Sequence, residues 1–92
     1  MEFEWDPVKA QTNQAKHGLG FLEASTVFAD PFELTIHDPE HSNNETRFLS
    51  LGNSTSGRLL VVSYTERGPA IRIISAREAT PRERRQYETK HT

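Results

Sequence analysis

Five arginines crowd one short stretch of this 92-residue chain. From Ile71 to Tyr87 it reads IRIISAREATPRERRQY, carrying Arg72, Arg77, Arg82, Arg84 and Arg85 before Tyr87. A guanidinium keeps its charge at any physiological pH and presents several N–H donors in a planar fork, which suits it to phosphate oxygens. Arg77 follows a strand-like apolar run (Ile71, Ile73, Ile74, Ala76), so it is launched from a rigid element. That arrangement points to a nucleic-acid site with the capacity for phosphoryl chemistry. Arg47 and Arg58 are further cations that neighbouring strands could bring alongside.

Arginine holds charge but moves protons poorly, because its pKa is far too high. Histidine titrates nearest neutrality, and His17 is the best acid–base candidate, with Lys16 its nearest rival. Lys9, Asn13, Lys16 and His17 fall on one helical stripe. Each candidate also has a plainer reading. An imidazolium at a helix C-terminus offsets the helix dipole, and His37 and His41 lie in a polar turn. His91 sits in the tail, Ser75 has no neighbouring histidine in sequence, and Tyr64 and Tyr87 can be packing residues. There is no cysteine, no HxH, no HExxH and no paired Asp/Glu pattern, so neither a metal nor another cofactor is expected.

The net charge of −2 hides a split: residues 1–57 carry three basic against nine acidic side chains, and residues 58–92 eight against four. A basic substrate face and an acidic opposite face would produce it, as would a mixed-charge exposed helix in RERRQYE. A hydrophobic content of 34% in 92 residues allows one thin-cored domain, expected over 1–92 with its core at about 3–88. No apolar run could span a bilayer and MEFEWD is no signal peptide, so a cytoplasmic protein is expected.

The elements that must position these groups read as follows. Phe3–Trp5 is a short strand. Asp6 caps a helix with Pro7 in its first turn, running to His17 and stopped by Gly18; Val8, Thr12 and Ala15 form its apolar side. A second helix spans Leu22–Phe28, with Leu22, Ala24, Val27 and Phe28 apolar, and Asp30-Pro31 ends it. Phe32–His37 is a strand and Asp38–Asn44 a turn. Glu45–Leu51, Arg58–Thr65 and Ala70–Arg77 form an antiparallel meander, turning at Gly52–Gly57 and Arg67–Pro69. Thr80 and Glu83 make a capping box for a last helix. The order β-α-α-β-β-β-β-α predicts an α+β domain, with an antiparallel sheet covered on one face by the two N-terminal helices. A C-terminal helix follows, and the other face is partly open. Strand alternation puts Ile71, Ile73, Ser75 and Arg77 on one face, and Arg72, Ile74 and Ala76 on the other, unless a bulge redirects Arg77.

Phe3 to Glu88 resembles the BrnT toxin family. Trp5-Asp6, Asn13-x-x-Lys16-His17-Gly18, Phe28-x-Asp30-Pro31 and Ile74-Ser75-Ala76-Arg77 carry the resemblance, in that order. It implies a RelE-like fold and a ribonuclease toxin of a bacterial type II toxin–antitoxin module, which inhibits translation and growth. The partner would be a BrnA-type ribbon-helix-helix antitoxin, with operator DNA bound only through that antitoxin, RNA as substrate and no membrane. RelE-like toxins replace the usual acid–base pair with arginines, lysines and a C-terminal tyrosine. By that likeness Arg58 and Arg77 would clamp the scissile phosphate, and Tyr87 would orient or share the 2′-OH proton. His17 would be the acid–base group, with Lys16, Arg47, Arg72, Arg82 and Arg85 holding flanking phosphates. The rival readings are a non-catalytic co-repressor subunit and direct DNA binding. The second has no helix-turn-helix or ribbon-helix-helix pattern behind it.

Overall fold

The computed structural model describes residues 1–38 and 45–90; His41, most of the expected 38–44 turn and His91 lie outside them. Strand β1 (Glu2–Trp5) leads into helix α1 (Pro7–His17). The Asp6 carboxylate accepts the Val8 N–H at 2.8 Å, capping an otherwise unpaired donor at the helix start. At the other end Gly18 takes the left-handed conformation (φ 65°) and donates its N–H to the Gln14 carbonyl, the expected stop.

The buried side of α1 is not the expected one. Val8 is 68% exposed, Thr12 and Ala15 also face solvent, and the helix instead rests on Ala10 and Asn13. A polar residue takes the inward position because it meets backbone groups there, not apolar side chains. Helix α2 (Phe21–Ser25) starts one residue earlier than expected and continues as a 3₁₀ turn over Thr26–Ala29. That phase buries Phe21 and leaves Leu22 74% exposed. Asp30-Pro31 ends the segment as expected.

Strands β2 (Leu34–His37), β3 (Arg47–Asn53), β4 (Leu59–Arg67) and β5 (Ala70–Glu78) follow, then helix α3 (Pro81–Lys90). The sheet order is β1-β5-β4-β3-β2. β3 to β5 form the expected antiparallel meander and β2 extends it antiparallel to β3, while β1 joins β5 in parallel, so the sheet is mixed where an antiparallel one was expected. The segment carrying α1 and α2 must therefore cross from one sheet edge to the other, covering one face as it goes. Leu19, Phe21, Ala24 and Val27 pack there against Leu60, Val62, Tyr64 and Ile73. Tyr64 is a core residue: its ring meets Phe28 edge-on at 4.9 Å and stacks on Phe48 at 5.5 Å.

A β-bulge decides which arginines share a face. Tyr64 pairs with Ile73 but Ser63 pairs with Ser75, leaving Ile74 as the extra residue. The bulge resets the alternation. Ala76 joins Ile71 and Ile73 in the core, and Ser75 and Arg77 are turned to the opposite face with Arg72. The uninterrupted alternation, which grouped Ser75 and Arg77 with Ile71, is corrected accordingly.

Gly52, expected in a turn, lies inside β3 on the helix-covered face. A Cβ there would sit 2.9 Å from Val27 Cγ1 and 3.2 Å from Asp30 Oδ2, and Val27 is fully buried. Gly52→Ala should therefore lower stability by about 1–3 kcal/mol through overpacking, read as a lower urea midpoint with an unchanged m-value.

Candidate active site

The open face is built in rungs across the sheet. One rung joins Arg47 (β3), Thr65 (β4), Arg72 (β5) and Glu4 (β1); the next joins Leu49, Ser63 and Ser75; the third joins Leu51, Val61 and Arg77. Arg47, Arg72 and Arg77 thus point to one side. Arg72 donates to Glu4 Oε2 at 2.7 Å, and Arg47 is half-buried at the start of β3.

His17 reaches this face from the helix layer. β1 pairs with β5 only as far as Ile73, so the last part of β5 has no strand outside it. The end of α1 occupies that place. Asn13 Oδ1 accepts the Ala76 N–H at 3.0 Å and Asn13 Nδ2 donates to the Leu19 carbonyl at 3.0 Å. One turn further on, the His17 side chain lines a small cleft of about 80 Å³ with Ser63, Ser75 and Arg77, over Leu49 and Val61. Lys16, beside His17 in sequence, is exposed.

Arg77 is held from the far side by α3. Its Nη1 and Nη2 donate to the two Glu83 carboxylate oxygens at 2.8 and 2.9 Å, and Nη1 also donates to the Glu78 carbonyl at 3.3 Å. These bonds use three of the five guanidinium N–H groups and leave the side fork, Nε–H with one Nη2–H. Glu83 also closes the capping box, accepting the Thr80 N–H while its own N–H donates to Thr80 Oγ1. The Arg77 hydrogen bonds lower the Glu83 pKa from 4.5 to about 2 against the opposing effect of burial, and Glu83 in turn raises that of Arg77.

The expected joint clamp by Arg58 and Arg77 is not what the sheet builds. Arg58 has the parity of Leu60 and points to the helix-covered side. There its Nε donates to Glu23 Oε2 at 3.0 Å and its Nη2 to Glu23 Oε1. Ser54 and Ser56 hydroxyls donate to the same carboxylate, and these contacts, led by Arg58, lower the Glu23 pKa to about 2. Arg58 therefore ties α2 to the β3–β4 connection.

Tyr87 is likewise engaged. Its hydroxyl donates to Asp30 Oδ2 at 2.7 Å and accepts from Asn53 Nδ2 at 3.3 Å. Burial first, and the Asp30 carboxylate second, push its pKa up. The contact anchors α3, which buries none of its own residues. Between α3 and the sheet runs an apolar groove floored by Leu34, Ile36, Leu49 and Leu51. Arg82 and Arg85 are exposed and border a shallow recess on the outer side of α3. His37 is exposed beside Phe48.

Sequence reasoning missed the roles of two residues: Asn13, read only as a member of a polar helical stripe, and Glu83, read only as a cap. The Asn-x-x-Lys-His-Gly spacing was the available signal for the first.

The Glu23–Arg58 and Glu83–Arg77 pairs carry a pH expectation. A carboxylate whose folded pKa lies below its unfolded value contributes stability above the unfolded value, and that contribution disappears as pH falls through the folded one. With Glu23 and Glu83 lowered from 4.5 to about 2, urea stability should fall as pH drops from about 4.5 towards 2. Glu83→Gln should flatten part of that decline.

The profile of the family described as "Ribonuclease toxin, BrnT, of type II toxin-antitoxin system" matches residues 5–83. The crystal structure of the Brucella abortus ribonuclease toxin BrnT superposes with a TM-score of 0.64 at 28% identity, over 87% of this chain and 97% of that one. No curated protein sequence matches. No helix among the described residues is long and apolar enough to cross a membrane.

Proposed function

The chain belongs to the BrnT family of ribonuclease toxins from type II toxin–antitoxin systems, and we propose that it cleaves RNA on the open face of its sheet, in the cleft between His17 and Arg77. Family membership carries with it a cognate antitoxin. The observation that supports the site is the meeting, in one cleft, of a histidine and an arginine whose side fork is not consumed by its own ion pair.

The chemistry follows from what RNA supplies. The 2′-oxygen attacks the adjacent phosphorus, the P–O5′ bond breaks, and a 2′,3′-cyclic phosphate and a 5′-hydroxyl form. The 2′-OH proton must leave, a proton must reach the 5′-oxygen, and the charge gathering on the non-bridging oxygens must be held. Arg77 would hold that charge through Nε–H and Nη2–H, with Glu83 fixing the guanidinium plane from its other edge. His17 would move a proton. Arg72 and Arg47, two rungs from Arg77 along the same face, would meet flanking phosphates. Lys16, Arg82 and Arg85 would add longer-range attraction that weakens with salt. Arg58 and Tyr87 would act indirectly, by holding α2 and α3 in place.

A mechanism that uses the RNA's own nucleophile requires no metal ion. Purified protein, free of its antitoxin, is expected to cut RNA at an undiminished rate in excess EDTA and to leave cyclic-phosphate and 5′-hydroxyl ends. Products with 5′-phosphates, or activity abolished by EDTA and restored by a divalent cation, would overturn this mechanism. A protein inert on RNA and harmless when expressed alone would point to the co-repressor reading. In the cytoplasm such cleavage would stop translation until a BrnA-type antitoxin covered the face, and operator DNA would be bound through that antitoxin.

A further inference from the structure

We infer that Asn13 is a positioning residue for RNA cleavage, setting His17 against Arg77 by locking the end of α1 onto the free edge of β5. The inference rests on the proposed site and extends it to a residue that touches no substrate.

The geometry is specific. Ala76 lies between Ser75 and Arg77, both of which line the cleft. Its N–H projects from β5 beyond the last residue paired with β1, where a sheet would ordinarily supply a carbonyl. Asn13 Oδ1 takes that N–H at 3.0 Å, and its Nδ2 donates to the Leu19 carbonyl just past the Gly18 reversal. One amide therefore joins three things: the C-terminal half of α1, the chain leaving it, and the strand that carries Arg77. Asn13 is 5% exposed and Leu19 fully buried, so water does not readily replace either bond. His17 stands four residues after Asn13, on the same helical face. Its place in the cleft is thus fixed relative to the backbone between Ser75 and Arg77, not merely relative to its own helix.

Only an amide of this length does both jobs. Aspartate can accept from Ala76 but cannot donate to Leu19; leucine has the shape and neither bond. A shift of the reacting groups by an ångström can cost about 10²-fold in rate, so loosening this tie should appear in turnover more than in binding.

The test is a cycle of Asn13→Ala, His17→Ala and the double variant, in the full chain, on a defined oligoribonucleotide. Asn13→Ala is expected to lower kcat by about 10²-fold with KM little changed, and to cost nothing further in the His17→Ala background. Losses that multiply in the double variant, or a parental kcat in Asn13→Ala, would overturn the inference while leaving the site in place. If His17→Ala alone cleaves like the parent, the proposed site itself falls and Asn13 with it. Where alanine prevents folding, Asn13→Asp carries the same comparison. It keeps the acceptor for Ala76 and loses only the donor to Leu19, and a parental kcat in that folded variant would equally sink the idea.

Discussion

Replacing Arg77 with alanine is expected to lower the rate of RNA cleavage by about 10²–10³-fold, the usual cost of removing one donor aimed at developing charge. The reason is the division of labour within one guanidinium. Glu83 holds the end fork at 2.8 and 2.9 Å, which leaves the side fork for a phosphate without breaking the ion pair. Arg77→Lys keeps the charge but cannot serve two bidentate partners at once, so it should recover only a small part of the loss. The fold should survive both changes. Arg77 lies at the end of β5 with its side chain 41% exposed, and α3 retains its Thr80 cap and the Tyr87–Asp30 bond. Arg58→Ala gives the opposite expectation, weaker folding with unchanged cleavage per folded molecule, because Arg58 faces Glu23 on the helix-covered side. Initial rates on a defined oligoribonucleotide, normalised to the folded fraction, separate the two. Full activity in folded Arg77→Ala would remove Arg77 from the site.

His17→Ala is expected to cost about 10²–10⁴-fold, the range for losing a positioned general acid or base. His17 is the one histidine among the described residues that lines the cleft with Arg77; His37 lies on the edge strand β2. A substrate with sulfur in place of the bridging 5′-oxygen assigns the direction of transfer, because a thiolate leaves without needing a proton. Rescue of His17→Ala on that substrate makes His17 the acid that protonates the leaving group. Absence of rescue makes it the base that takes the 2′-OH proton. A parental rate on ordinary RNA would remove His17 from the chemistry.

Local rules read most of the elements directly. Asp6-Pro7 and Gly18 bound α1 because capping depends on the side chain and backbone freedom of those residues alone. Thr80 and Glu83 start α3 for the same reason. The meander of β3, β4 and β5 was legible because its strands are rich in apolar residues and joined by short turns. Local rules failed where an apolar residue had to choose between solvent and core. Val8 and Leu22 are exposed while Asn13 and Phe21 are buried, since burial depends on what stands opposite and not on a residue's own hydropathy.

The sequence by itself determined which charges exist, which elements carry them and, through four spaced motifs, which family they belong to. Only the tertiary structure decided which of those charges can act together. A single extra residue at Ile74 turns Arg77 to the open face, and the parity of β4 sends Arg58 to the other. The early end of β1 leaves a strand edge that Asn13 can reach, and so brings His17 to the cleft. Tyr87 is drawn to Asp30, 57 positions away in sequence. The first two rest on the register within the β4–β5 hairpin, which a single bulge resets; the last two rest on hydrogen bonds between segments 63 and 57 positions apart, which no local pattern of side chains specifies.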